Sequence, residues 1–156
     1  MTDGRARALV LGVGNILLGD EGVGVAVVRE LERSPAALPP GTRVGDGGTL
    51  GLDLLPLVET ADDLVIVDAL ELGSEPGTVA VLRDGEVNGR LAGHISTHQV
   101  GVADLIAAAR LAGMLPERVS LVGIQPGVVE IGIDQWNGNR RIQVKAVDVR
   151  PSQLVS

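Results

Sequence analysis

The chain has 156 residues, a formal net charge of −7, no cysteine and a single aromatic residue, Trp136. That length suits one domain, 1–156, around one continuous core, which must be built from Val, Leu, Ile and Ala. The missing cysteines exclude disulfides, thiolate metal sites and a cysteine nucleophile, and an acidic chain with almost nothing to stack on bases is a poor match for nucleic acid.

Residues 1–7 carry charges but no apolar stretch, and no apolar run approaches the roughly 20 residues that a membrane-spanning helix needs. A soluble cytoplasmic α/β domain is expected. The first strand is Ala8-Leu9-Val10-Leu11. It runs into Gly12-Val13-Gly14-Asn15-Ile16-Leu17-Leu18-Gly19-Asp20-Glu21-Gly22-Val23-Gly24, a glycine turn and acidic loop that open a helix over residues 22–33. Val23, Val27, Val28 and Leu31 share one face of that helix. A phosphate cradle fits the loop badly. The dinucleotide fingerprint wants a glycine where Leu17 stands, the Gly-Lys-Ser/Thr of a P-loop is missing, and two carboxylates repel phosphate. The same carboxylates suit a cation, so no nucleotide is expected.

Pro35, Pro39, Pro40 and Gly41 mark a loop, and Thr42-Arg43-Val44 starts a short second strand. Asp46-Gly47-Gly48-Thr49 reads as a tight turn, either purely structural or there to admit a peptide backbone, and residues 50–59 as helical. Leu64-Val65-Ile66-Val67-Asp68-Ala69 is the clearest buried strand, an unbroken aliphatic run of the kind covered on both faces. Residues 77–82 read as a further strand at an edge, with a polar turn at Asp84-Gly85. Ser96 or Thr97 is placed to cap a helix over 99–112, whose Val102, Leu105, Ile106 and Ala109 share a face. Residues 119–124 form another buried strand, stopped by Pro126-Gly127. Strands alternating with helices predict a parallel or mixed sheet with helices on both sides. The stretch 127–156 departs from this pattern: Asn137-Gly138-Asn139 is a turn signal, and residues 141–149 alternate partly like a strand.

Three candidate ligands come from three strand-to-helix junctions: Glu21, Asp68 and His98. Parallel topology collects such junctions at the carboxyl edge of the sheet. One imidazole and two carboxylates make a plausible site for a divalent transition metal. Singly, each has an ordinary structural reading: Asp20 or Glu21 complementing a helix dipole, Asp68 capping a loop, His98 packing at a helix start. His94 and His98 are spaced to share a metal on a helix, but residues 94–97 read as strand or loop and no His-Glu-x-x-His is present. The Gly-x-Ser-x-Gly elbow of a serine hydrolase is also missing.

These residues resemble the hydrogenase maturation proteases, endopeptidases that trim the carboxyl-terminal extension from the large subunit of nickel–iron hydrogenases. The likeness rests on Gly12, Gly14, Asn15, Leu17, Asp20, Glu21, Gly22 and Gly24 in their spacing, then on Asp46-Gly47-Gly48-Thr49, Val67-Asp68-Ala69 and Ser96-Thr97-His98-Gln99 with Gly101. It covers about residues 8–126. The resemblance implies a three-layer α/β fold of phosphorylase/hydrolase-like type, a twisted and mostly parallel sheet between helices. It implies Glu21, Asp68 and His98 as the catalytic and metal-interacting triad, and nickel supplied by the substrate, the precursor of the hydrogenase large subunit. His94 has no part in the family pattern. Either the metal polarises the scissile carbonyl or activates water, or it only docks the substrate while Asp20 or Asp68 acts as general base in an aspartyl-type peptidase. A monomer is expected. The alternative is a non-catalytic module that binds the precursor or handles its metal. Family members end in an amphipathic helix covering one sheet face; 127–156 instead suggests a hairpin or a divergent tail, with apolar sheet surface left bare.

Overall fold

The unbroken aliphatic runs form the middle of the sheet. The computed structural model describes residues 5–14, 22–48, 51–92, 97–127, 129–136 and 139–146. Strand β1 (Ala6–Val13) pairs in parallel with both β2 (Thr42–Gly48) and β3 (Ala61–Ala69), and β3 pairs in parallel with β5 (Arg118–Ile124). β4 (Val79–Arg83) closes one edge as an antiparallel neighbour of β5, giving the order β2-β1-β3-β5-β4. The expected mostly parallel sheet, with residues 77–82 at its edge, is the one observed.

Helices cover both faces. Helix α1 (Val23–Arg33) lies across β1, β2 and β3. It buries Val23, Val27, Val28 and Leu31 against Val10, Val67 and Ile124. The opposite face is larger. There Leu9, Leu11, Leu64, Ile66 and Leu121 pack with Leu54 and with residues of α2 (Leu55–Val58), α3 (Gly85–Ala92) and α4 (Thr97–Leu111). The predicted face of α4 is the buried one: Val102, Leu105, Ile106 and Ala109 are each at most 4% exposed. No helix among the described residues is long and apolar enough to cross a membrane.

Three readings change. Asp46-Gly47-Gly48 is the end of β2, not a free turn, and β2 carries one extra residue there, Gly47, so that Gly12 pairs with Asp46 and Val13 with Gly48. Residues 50–59 hold a 3-10 turn, Gly51–Leu54, followed by the single turn of α2; Leu50 lies outside the described residues. The Asp84-Gly85 turn leads into helix α3, whose two glycines and short length hide its period. Ser96 also lies outside the described residues, and Thr97 is the first helical residue of α4.

Beyond Pro126 the chain forms a hairpin of β6 (Val129–Trp136) and β7 (Asn139–Ala146), paired as a separate two-stranded sheet. β6 rests against α1, with Ile131 at the margin of that core. Val79 and Val81 pair with Ile124 and Val122, facing the same side as α1, and are 48% and 50% exposed. These two valines are exposed apolar surface on the edge strand.

At the opposite, amino edge, Arg118 grips Asp63 with both ends of its guanidinium, at 2.7 and 2.9 Å, across the β3–β5 register. The hydrogen bond to Asp63, and then its charge, raise the Arg118 pKa above the ordinary value. The pair is solvent-facing and adds little to stability.

The contact that places α1 is a backbone-to-backbone one. A Cβ on Gly24 would overlap the carbonyl oxygen of Val67 and come within 2.6 Å of that of Val13. A Cβ on Gly12 would overlap the carbonyl of Gly24 and come within 2.6 Å of Val28 Cγ2. Gly24→Ala should therefore lower stability although alanine is the better helix former. Overpacking against rigid backbone costs about 1–3 kcal/mol or more, against a gain of at most ~1 kcal/mol from propensity. Gly89, inside α3, makes the control, because a Cβ there would meet nothing within 4 Å. Thermal unfolding should show Gly24→Ala losing several degrees and Gly89→Ala gaining a few.

Candidate active site

The carboxyl ends of β1, β2, β3 and β5 lie side by side, and this edge holds Asp68. Asp68 is the penultimate residue of β3, opposite Gly123 of β5. It is 2% exposed, and its Oδ1 accepts the Ala69 amide hydrogen at 2.8 Å. A carboxylate this deep keeps its charge only where hydrogen bonds or a cation compensate for lost water. The Ala69 contact fixes one oxygen and so the plane of the group.

His98 stands in the first turn of α4. The chain leaves α4 at Leu111 and enters β5 at Arg118 on the amino edge, so α4 runs antiparallel to the parallel strands. Its 15 residues span roughly 22 Å, enough to carry its first turn back to the carboxyl edge. The backbone thus brings His98 to the edge that holds Asp68; its side chain lies outside the described residues. Glu21 and Asp20 also lie outside them, as does His94. The residue that follows Glu21, Gly22, is the N-cap of α1. Two residues further on, Gly24 touches the Val67 carbonyl, directly before Asp68. The attachment point for the acidic loop is therefore held against the strand end that carries Asp68.

β2 contributes through Asp46. Its Oδ1 accepts the Gly48 amide at 3.0 Å, and its Oδ2 meets Arg29 of α1 at 3.4 Å. The Gly48 carbonyl in turn accepts the Gly14 amide at 2.9 Å, so the ends of β1 and β2 are tied together. Gly47 has an internal reason to be glycine: a Cβ would meet Leu54 Cδ1 at 2.9 Å, Gly12 O at 3.2 Å and Val13 Cγ1 at 3.2 Å. Packing accounts for it without an approaching peptide.

One residue at this edge escaped the sequence reading. Gln125, the first residue after β5, is only 6% exposed, and its side chain binds the loop that follows Asp68. Its one local signal is a polar amide ending an aliphatic run ahead of Pro126-Gly127, which reads equally well as a strand stop.

A family profile described as hydrogenase maturation protease matches residues 25–135. The chain belongs to the hydrogenase maturation protease family. The hydrogenase 2 maturation protease of Escherichia coli K12 is 45% identical over 125 residues, covering 80% of this chain and 76% of that protein. The hydrogenase expression/formation protein HupD of Rhodobacter capsulatus is 43% identical over 136 residues, 86% of this chain; the chain spans 62% of that relative's length. Among solved structures, the E. coli hydrogenase maturating endopeptidase HybD superposes with a TM-score of 0.69 at 44% identity, covering 80% of this chain and 76% of that one. The fold, the order of its landmarks and the family assignment agree.

The glycine of β2 gives a test of this geometry. Gly47→Ala should destabilise by roughly 1–3 kcal/mol, since the methyl meets both backbone and a buried leucine. Chemical denaturation would register it as a lower midpoint at unchanged slope. A midpoint at the wild-type value would show that the site, not the core, sets this glycine.

Proposed function

We propose that this chain is an endopeptidase that removes the carboxyl-terminal extension from the nickel-loaded large-subunit precursor of a nickel–iron hydrogenase, working as a cytoplasmic monomer. The observation that carries the reading is a buried carboxylate, Asp68, at the carboxyl edge of the sheet in a chain of this family. In this reading Glu21, Asp68 and His98 receive the nickel already seated in the precursor. Two carboxylates and an imidazole, with no thiolate, suit a metal that arrives with its own ligands and leaves with the product.

Hydrolysis adds water across one peptide bond. The water oxygen attacks the carbonyl carbon, the carbon–nitrogen bond breaks, and the leaving amine takes a proton. A carboxylate at this edge accepts the proton from water and passes it on. Asp68 suits such work because its plane is fixed by Ala69 and its burial keeps competing water away. The precursor's nickel holds the substrate so that the scissile bond meets that carboxylate.

Purified protein incubated with nickel-loaded precursor should produce a shortened large subunit, seen as a size shift on a gel, while metal-free precursor stays whole. Asp68→Asn keeps an oxygen for the Ala69 amide, and a cooperative thermal transition measured alongside should show that the variant is folded. Its cleavage rate should fall by at least ~10²-fold, the low end for loss of a general base or an essential ligand. The triple variant Glu21→Ala, Asp68→Ala, His98→Ala should not cut. Stable nickel-dependent binding without any cut by the wild type would assign the chain to precursor handling instead. Full cleavage by the triple variant would remove these residues from the site.

A further inference from the structure

Asp68 and Gln125 are the two buried polar side chains among the described residues, and they end neighbouring parallel strands. Asp68 faces the chemistry proposed above; Gln125 faces a loop. Residues 71–77 leave β3 three positions after Asp68 and return to the antiparallel edge strand β4. The loop is mostly exposed, with Gly73, Ser74, Glu75 and Pro76 all at the surface. Leu72 packs against the main core and Pro76 lies close over Gly127, but the stretch between them, residues 73–75, is exposed and has no apolar side chain to hold it.

Gln125 holds it from below. Its Oε1 accepts the amides of Leu72 at 2.6 Å and Ser74 at 3.4 Å, and its Nε2 donates to Glu71 Oε1 at 3.0 Å. Two N–H donors on one oxygen and a carboxylate on the nitrogen fix the orientation of the amide. The backbone completes the clamp. Leu70 N–H donates to Ile124 O at 2.9 Å, Gln125 N–H to Thr78 O at 2.8 Å, and Gly77 N–H to Gln125 O at 3.1 Å. One buried side chain therefore sets the middle of the loop, and strand-like bonds set its two ends.

The loop's position gives this a purpose. On the β1 side of Asp68, α1 closes over the sheet at Gly24. On the β5 side, among the described residues, the 71–77 loop follows directly on Asp68 and is fastened over the end of β5. We propose that Gln125 is a positioning residue for the substrate: it holds the 71–77 loop as a fixed rim along which the precursor's peptide lies when its scissile bond reaches Asp68. This rests on the endopeptidase reading. A rim already ordered spares the substrate the entropy of ordering it, so the effect falls mainly on binding.

Exchange of donor and acceptor tests the idea. Gln125→Glu keeps the acceptor for Leu72 and Ser74 but sets a second carboxylate against Glu71, and like charges at hydrogen-bond distance repel. Adding Glu71→Gln returns a donor to face the new acceptor. Steady-state cleavage of nickel-loaded precursor at varied concentration should show KM raised about tenfold in Gln125→Glu, the effect of roughly one lost hydrogen bond to a charged group, with a much smaller change in kcat. The double variant should recover KM to within about threefold. Thermal melting run in parallel separates this from general damage, since a purely structural role would track melting temperature and leave no KM-against-kcat split. An unchanged KM in Gln125→Glu, a loss confined to kcat, or a double variant no better than the single one would overturn the inference while leaving the endopeptidase reading intact. A wild type that neither cuts nor binds the precursor would overturn both.

Discussion

The site depends on how closely α1 approaches the sheet. Gly12 of β1 and Val67 of β3 are register partners, and Gly24 of α1 lies against both: its own carbonyl faces Gly12, and its Cα faces the carbonyl of Val67. Helix-on-sheet packing normally leaves side chains between the backbones. Here two glycines let backbone meet backbone at the one place where the next residue of β3 is Asp68. A β-carbon on either would push the amino end of α1 outward, and with it the chain that carries Glu21. Gly12 and Gly24 of the opening motif therefore serve the close approach of α1 to the strand end that carries Asp68.

A second constraint follows from burial. A parallel sheet covered on both faces offers little water to polar groups at its strand ends, so each one present needs a partner. Asp68 uses the amide of the next residue for one oxygen. Gln125 uses both ends of its amide, three bonds in all, on the loop after Asp68. These neighbours divide the work at the edge. A carboxylate can carry charge and take a proton; a neutral amide offers a donor and an acceptor at once, which is what a loop with amides and a carboxylate to satisfy requires.

Much of this was legible because the relevant patterns are local. Residues 64–69 and 119–124 are unbroken aliphatic runs because both faces are covered, and Asp68 stands out as the charge that ends one of them. The alternation and the Asn-Gly-Asn turn signal beyond Pro126 allowed a hairpin or a divergent tail, and the hairpin is what forms. The misreadings have one cause: glycine and aspartate signal turns even when tertiary contacts impose another structure. Asp46-Gly47-Gly48 has the composition of a turn, but pairing with β1 makes it strand, with Gly47 demanded by Leu54 and Gly12. The Asp84 turn is real, with Asp84 at a positive φ of 46°, but Gly85 after it opens a helix that its composition does not announce. Gln125 was illegible because its partners lie about 50 residues earlier, in a loop whose folding back onto β5 no local pattern announces.

The hairpin bears on the same contact. β6 packs against α1, with Ile131 on the margin of the α1 core, and α1 is the element pressed onto Val67. Exposed apolar surface lies two strands away, at Val79 and Val81 of the edge strand β4. Half-exposed valines weaken the closing of that edge, yet the bonds that hold β4 to β5 and the 71–77 loop to Gln125 are backbone and amide bonds that do not need a covering helix. The exposed valines therefore bear on the stability of one margin, while the strand end that carries Asp68 stays supported from the α1 side.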